Sequence, residues 1–544
     1  AVAAWRRADA ALVVALWEGA ARRLAGCGAQ ELADILAGVA AIGEAPSDTL
    51  LSNATDAIAR LDGRKALSAE QLSGCLHSLS AVAPGSSVSA IVHLLGILQH
   101  SVARAAGQLA PAELLSIAHI YVATTAAADV GNALSKPLKA IRRELAARAD
   151  KLNLSQACQA IRIFDQAPGG LSEQLEAALD ARLADDGHDL SLPSIAAALE
   201  SLAAARHVPP PRLVRRIEDA VASLAVEQPG AKSAPHPLHV VTAARGVAVL
   251  LDEDAAPPVL HFLASMWLGQ RQPTRFAPPY EVATLAWALA VGGTLTPSLL
   301  RSLVQRLRYD GSTGESESDG RDTSQSAHAD TREKRDVDVA RVRRSARLTD
   351  AQARKLFQAE MAICTHGSRD GAASILPGKL ARRARSAWLD LVKAGAAPSS
   401  LAKMVRNELA AMGVTSTETE VLTTDGLLSM DVLLLNTTGG GGAPLAVEVH
   451  GPTHFARNRG RRNQELGPSR LRRRLLEARG YRVVVVPGHD LPHLSATQRR
   501  RWLRTHLLSL MGGNTPAAPR AAPVSASEFR AKSAALFDEW PLGF

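Results

Sequence analysis

At 544 residues the chain is too long for one hydrophobic core, and an alanine-rich 47% hydrophobic share with only 3% aromatics favours close-packed helices over a base-stacking sheet of the RRM kind. The formal charge is +9, yet Leu445–Met511 alone holds fourteen arginines, no lysine and four acids, so the basicity belongs to one module and the rest of the chain is close to neutral. Four scattered cysteines without a CxxC pair argue against a zinc site or a secreted disulfide framework, and no apolar run approaches the roughly 18 residues of a membrane span.

The chain starts at Ala1, which is expected of a processed or trimmed form. Along its first 307 residues, apolar or small side chains recur at i, i+3, i+4 and i+7 from Leu32, Leu72, Leu114, Leu154, Leu192, Val240 and Val282, a period near forty. Most of these helices precede a Gly or Pro break and a second amphipathic helix, such as TPSLLRSLVQRL from Thr296. A two-helix unit of that size cannot bury its apolar face alone, so neighbours should stack into an α-solenoid of about seven repeats with an extended concave surface. Within the last of them, PPYEVATLAWALAVGG (278–293) resembles the tryptophan-bearing helix of octotricopeptide-type repeats and of the Fas-activated kinase domain family. Trp287 is expected to be a core residue there.

Residues 308–347 are Ser-, Asp-, Gly-, Glu- and Arg-rich, cannot offset their ordering entropy, and mark the expected main boundary. Bridging helices follow over 348–412, with Ser399 and Ser400 as N-cap candidates and Lys403 and Arg406 as cations that a solvated face or RNA would explain. Over 413–511 the pattern turns extended: TETEVLTT and SMDVLLLN flank Asp425-Gly426, a hairpin signal, and LAVEVHG follows a glycine-rich loop. A basic helix, SRLRRRLLEARG, leads to RVVVVP, read as a strand buried on both faces, then to a last helix; 512–544 is a tail.

The segments TTDGLLSMDVLLL, LAVEVHGPTHF and RLRRRLLEARGYRVVVVP resemble the RAP domain, the "RNA-binding domain abundant in apicomplexans". The resemblance rests on Asp431, Glu448, Gly451-Pro452-Thr453-His454-Phe455, Arg472 to Arg474, Gly480 and the valines 483–486. It implies a small α/β domain like the PD-(D/E)xK (Vsr-like) nuclease fold, in a mainly α protein. Two departures stand out. His450 replaces the family's usual aspartate, and Gly488-His489-Asp490 replaces an aromatic-rich turn.

In nucleases of that fold an acid on one strand and an acid-x-lysine on the next hold Mg²⁺. Asp431 and Glu448 match the acidic positions, as candidate metal ligands and, with His450, candidate catalytic residues. His450 stands where lysine is expected, so Mg²⁺ enters only if the domain is catalytic, and a clamp is favoured over a metal-dependent endoribonuclease. The candidate RNA-binding residues are Arg457, Arg459, Arg461, Arg462, Arg470, Arg472, Arg473, Arg474 and His454, because guanidinium groups grip phosphate through paired N–H donors. The resemblance implies an organellar protein, of the chloroplast stroma or mitochondrial matrix, whose repeats select a single-stranded transcript or rRNA segment. A structural rRNA-holding component of a ribosome or ribonucleoprotein granule and a repeat array for protein partners are the alternatives; no membrane association is expected.

Overall fold

The computed structural model describes residues 10–42, 47–63, 67–82, 88–128, 135–185, 187, 190–226, 236–270, 276–307, 348–364, 374–395, 399–414, 417–434, 443–488 and 491–511. The expectations for 308–347, for His489 and Asp490, and for the tail 512–544 lie outside the described residues. Two compact units divide the chain, Ala1–Arg216 and Ile217–Phe544.

The first unit is helical throughout its described residues. It contains α1 (Ala10–Leu24), α2 (Ala29–Ile42), α3 (Asp48–Gly63), α4 (Ala69–Val82), α5 (Val88–Ala105), α6 (Pro111–Ala128), α7 (Ser135–Ala147), α8 (Leu154–Gln166), α9 (Glu173–Leu183), α10 (Leu192–Ala205) and the start of α11 (Pro211–Val226). Each helix packs on the next but one, so α2, α4, α6, α8 and α10 form one row and α1, α3, α5, α7 and α9 another. Leu32, Leu72, Leu114, Leu154 and Leu192, read as the first core position of each repeat, are all 3% exposed or less. Alanines at the contacts, such as Ala157, Ala160, Ala196 and Ala198, are buried and let the helices of a row approach closely.

One device recurs in this unit. A helix leaves its last carbonyls without intrahelical partners, and a cation placed there also meets the negative end of the helix dipole. Arg60 on α3 donates to the carbonyls of Leu24, Ala25 and Cys27 after α1. Arg148 after α7 donates to Ala106 and Leu109 after α5, at 3.0 and 2.8 Å. Arg182 on α9 reaches Leu152 O at 2.6 Å, and Arg216 on α11 reaches Asp185 O. Arginine therefore works here as a main-chain cap between neighbouring repeats.

The second unit continues the helical pattern with α12 (Pro237–Leu250), α13 (Ala256–Gln270), α14 (Pro279–Val291) and α15 (Pro297–Gln305). Arg306 repeats the cap, donating to Leu268 O at 2.9 Å. Trp287 is 8% exposed, a core residue as expected. The helices read as a bridge turn out to extend the array: α16 (Asp350–Cys364) packs on α14 as α14 packs on α12, and α17 (Gly378–Ala394) pairs with α16. The main break expected at 308–347 thus interrupts the sequence period but not the packing.

Then come α18 (Ser400–Ala411), β1 (Thr417–Leu422), β2 (Ser429–Leu434), β3 (Leu445–His450), α19 (Gly467–Glu477), β4 (Arg482–Pro487) and α20 (Ala496–Met511). This is the order read from the sequence. Ser399 caps α18, its Oγ accepting from Ala402 N at 3.0 Å. The strands form one sheet in the order β1-β2-β3-β4, with β3 and β4 parallel and the other pairs antiparallel. Asp425-Gly426 makes the β1–β2 turn, where Gly426 adopts φ 68°, open to glycine at no steric cost.

The expectation for RVVVVP is corrected. In β4 only Val484 and Val486 are buried among the valines, because β4 is an edge strand, whereas all six residues of central β3 are buried. Val432, Leu434, Val447, Val449, Val484 and Val486 form one core with α18 and α20. The alternate residues turn to the other face, against α19.

Candidate functional site

Alternation puts Asp431 on β2 and Glu448 and His450 on β3 on that second face, with Glu420 of β1 beside them. The β1–β2 register pairs Thr419 with Val432 and Val421 with Met430, leaving Glu420 opposite Asp431 without a ladder pair. Glu420 breaks the ladder because its φ is +53°, a left-handed conformation that costs a side-chain-bearing residue about 1 kcal/mol or more. Three carboxylates thus form a row across three strands.

Their counter-charge is internal. Arg472 reaches in from α19, donating from Nε to Glu448 Oε2 at 2.6 Å and from Nη2 to Ser429 O at 2.5 Å. Glu448 is 2% exposed. Burial alone would lower the Arg472 pKa, but Glu448, Asp431 and Glu420 outweigh it and raise it. Asp431 accepts from Val449 N at 2.7 Å; burial, then Glu448, push its carboxyl up.

Burial, followed by Asp431 and Glu448, raises Glu420 to about 7. An unfolded glutamate titrates near ~4.3, so between that value and about 7 the native state keeps a proton that the unfolded state has lost, and stability falls as pH rises through this window. Glu420→Gln removes that loss. It is expected to raise Tm by a few degrees at pH 8, on the order of 1 kcal/mol after solvent screening, and to leave Tm unchanged at pH 4.5. Equal effects at both pH values, read by circular dichroism melts, would refute the shared-charge row.

His450 is 2% exposed, and its ring lies between Glu448 and Glu465, with Nε2 3.9 Å from one and Nδ1 3.3 Å from the other. The geometry makes neither approach a hydrogen bond. The His454 ring stacks on it at 4.4 Å and 15°, and its Nδ1 lies 2.8 Å from Ser469 Oγ. Burial, then His450 and Arg472, bring His454 down to about 4. His454 is therefore a neutral inward stack. Phe455 is core at 5% exposed.

The donor set does not fit the Mg²⁺ site that Asp431 and Glu448 suggested. Arg472 takes Glu448 Oε2, the Val449 N–H takes Asp431 Oδ2, and no group of three or more His, Cys, Asp or Glu among the described residues converges to hold a metal. Arg472 stands as a fixed cation in the row. Asp431, Glu448 and His450 come together as expected for a catalytic set, but as a buried charge cluster.

The basic helix is also redirected. Arg470 is 7% exposed and donates to Leu251 O, at the C-terminus of α12, and to Glu465 O. One turn later Arg474 donates to Val291 O and, at 3.0 Å, to Ala290 O, at the C-terminus of α14. Arg473 lies 3.3 Å from Glu465 and 3.7 Å from both Glu253 and Glu477. So α19 caps two successive repeat helices by the device that joins the repeats themselves. Gly467 makes the approach possible, since a Cβ there would lie 1.8 Å from Ala248 O. Arg470, Arg472, Arg473 and Arg474, read as phosphate ligands, are spent on protein partners.

The other arginines of the expected set lie on the loop 457–462. Arg457, Arg459 and Arg462 are exposed, and Arg461 donates to Gln464 Oε1 at 3.2 Å. Sequence reasoning missed Glu420, Glu465 and Ser469. The TETEVL alternation carried a signal for Glu420 alone, by placing it on the Asp431 face.

A family model for the RAP domain matches residues 447–506, from the middle of β3 into α20. The chain carries a RAP domain. That family is associated with RNA binding. No curated protein matches the chain. The match covers the sheet centre, the stacked histidines and α19, and the helical repeats lie outside it. No helix among the described residues is long and apolar enough to cross a membrane.

Proposed function

We propose that this protein is an organellar RNA-binding protein acting in post-transcriptional RNA metabolism, in the stability, processing, maturation or translation of a transcript or rRNA. Its repeats select a single-stranded segment and its RAP domain holds the backbone. The observation that carries the reading is the RAP domain match on the one strongly basic module of the chain. The stacked helical rows add support, since such arrays suit extended ligands. Arg457, Arg459, Arg461 and Arg462 are the proposed phosphate contacts from the loop. The endoribonuclease reading loses ground because Arg472 holds Glu448 and no metal-binding donor set converges among the described residues.

The test is a fluorescence-anisotropy titration of the full chain with a single-stranded RNA pool at several salt concentrations. Binding should weaken steeply with salt, each phosphate contact adding about 0.7 to the slope of log K against log salt. Salt-independent binding, or none, would overturn the proposal. Crosslinking and sequencing of bound RNA from fractionated cells tests the organelle and the target together.

A further inference from the structure

The charge of the RAP module is divided unevenly between its helices. Of the fourteen arginines in Leu445–Met511, those at 470, 472, 473, 474 and 479 are engaged around α19. Arg499 and Arg500 both bind Glu408 on α18, at 2.9 and 2.8 Å. The Arg500 hydrogen bond is the leading cause of a lowered Glu408 carboxyl, so this acid stays ionised and its charge is balanced by these two arginines. Helix α20 itself contains no acid. Arg501 and Arg504 on it are exposed to solvent, and i, i+3 spacing sets them side by side with Arg500 next to them. Lys403 and Arg406 add exposed cations on the neighbouring α18.

The same helix carries a second feature that bare charge does not explain. Trp502 and His506 stack at 4.0 Å and 14°, with His506 Nδ1 2.8 Å from Trp502 O. Trp502 is half-buried against the sheet core, whereas His506 is exposed, so the pair is anchored at one end and presents a ring at the other. Guanidinium groups beside an anchored ring suit a ligand with both phosphates and bases that are not already paired. An acidic protein surface would use the arginines and leave the ring idle.

The geometry points to α20 as the face on which this RAP domain holds single-stranded RNA, with Arg501 and Arg504 on the backbone and the Trp502–His506 stack under a base. This rests on the RNA-binding reading above and names its contact surface, which lies on the opposite side of the sheet from the Arg472 cluster.

The test compares full-length wild type with Arg501→Glu/Arg504→Glu, with His506→Ala, and with Arg457→Glu/Arg459→Glu/Arg462→Glu, each first confirmed folded by its thermal transition. The ligand is a single-stranded RNA pool. Reversing Arg501 and Arg504 should lower the salt slope by about 1 to 2 and the affinity at moderate salt by at least tenfold. His506→Ala should weaken RNA about threefold to tenfold while leaving the slope unchanged, a split that a purely electrostatic patch does not give. Should the reversal variant unfold, Arg501→Gln/Arg504→Gln replaces it, with the same direction expected. Wild-type binding with both α20 variants silent and only the loop variant impaired overturns this surface and leaves RNA binding standing. Polyaspartate competing as well as RNA also overturns it, and wild type that binds no RNA overturns both readings.

Discussion

Arg472→Met is expected to cost about 3–5 kcal/mol of folding stability at pH 7, the range for removing one partner of a buried ion pair. The substitution keeps most of the volume. What it deletes is, among the described residues, the one guanidinium hydrogen-bonded to Glu448, whose carboxylate is 2% exposed and has no described partner for Oε1. Glu448 would then have to take up a proton or draw in water. Adding Glu448→Gln should recover most of the loss, since an amide needs no counter-charge, and a coupling of about 2 kcal/mol or more by double-mutant cycle is expected. The check is urea unfolding of the four proteins. A single-variant cost below about 1 kcal/mol, or strictly additive losses, would show that the acids of the row do not depend on Arg472.

A second large effect is expected at the joint between α19 and the helical array. Arg470→Ala and Arg474→Ala should each lose about 2–4 kcal/mol, because each frees helix-terminal carbonyls and removes a charge-assisted donor. Hydrogen exchange should rise around 248–254 for Arg470→Ala and around 289–294 for Arg474→Ala, where α12 and α14 end. Arg474→Lys should fall between wild type and alanine, since an ammonium keeps the charge without the planar fork that spans Ala290 and Val291. The salt slope of RNA binding should stay as in wild type for these variants wherever they remain folded. A flattened slope with unchanged stability would return Arg470 and Arg474 to the phosphate-gripping role that their sequence suggests.

The helical part was legible because its signal is local. Leu32, Leu72, Leu114, Leu154 and Leu192 declare their helices by apolar spacing alone, and all are buried. The pair α16–α17 was harder to place, since the polar segment 308–347 breaks the period between Val282 and the core residues Ala353 and Leu356. The chain order of strands and helices followed from their patterns, the β1–β2 turn from the Asp425-Gly426 pair, and the gathering of Asp431, Glu448 and His450 from the resemblance to the RAP domain. The fate of the α19 arginines did not, for a physical reason. Arg470 and Arg474 find carbonyls at helix ends, which no residue letter encodes, up to 219 residues away, and Arg472 and Arg473 find acids on other elements. Charge density in RLRRRLL signals that anions or dipoles are wanted and is silent about which. Glu420 was missed for a related reason, because its environment comes from acids on two other strands. The four valines of β4 misled because β-branched runs suit edge and central strands alike.

The capped joint also bears on how far the RAP domain is a portable part. Cut loose from α12 and α14, the α19 helix would present Arg470 and Arg474 to water, with the Gly467 notch left empty beside them. Such a fragment would acquire a sticky cationic face that the intact chain never displays, and polyanions of every kind would adhere to it. Binding measured on the excised piece would overstate the affinity of the parent and blur its selectivity. For this architecture the smallest faithful unit for biochemistry begins with the repeats that α19 caps.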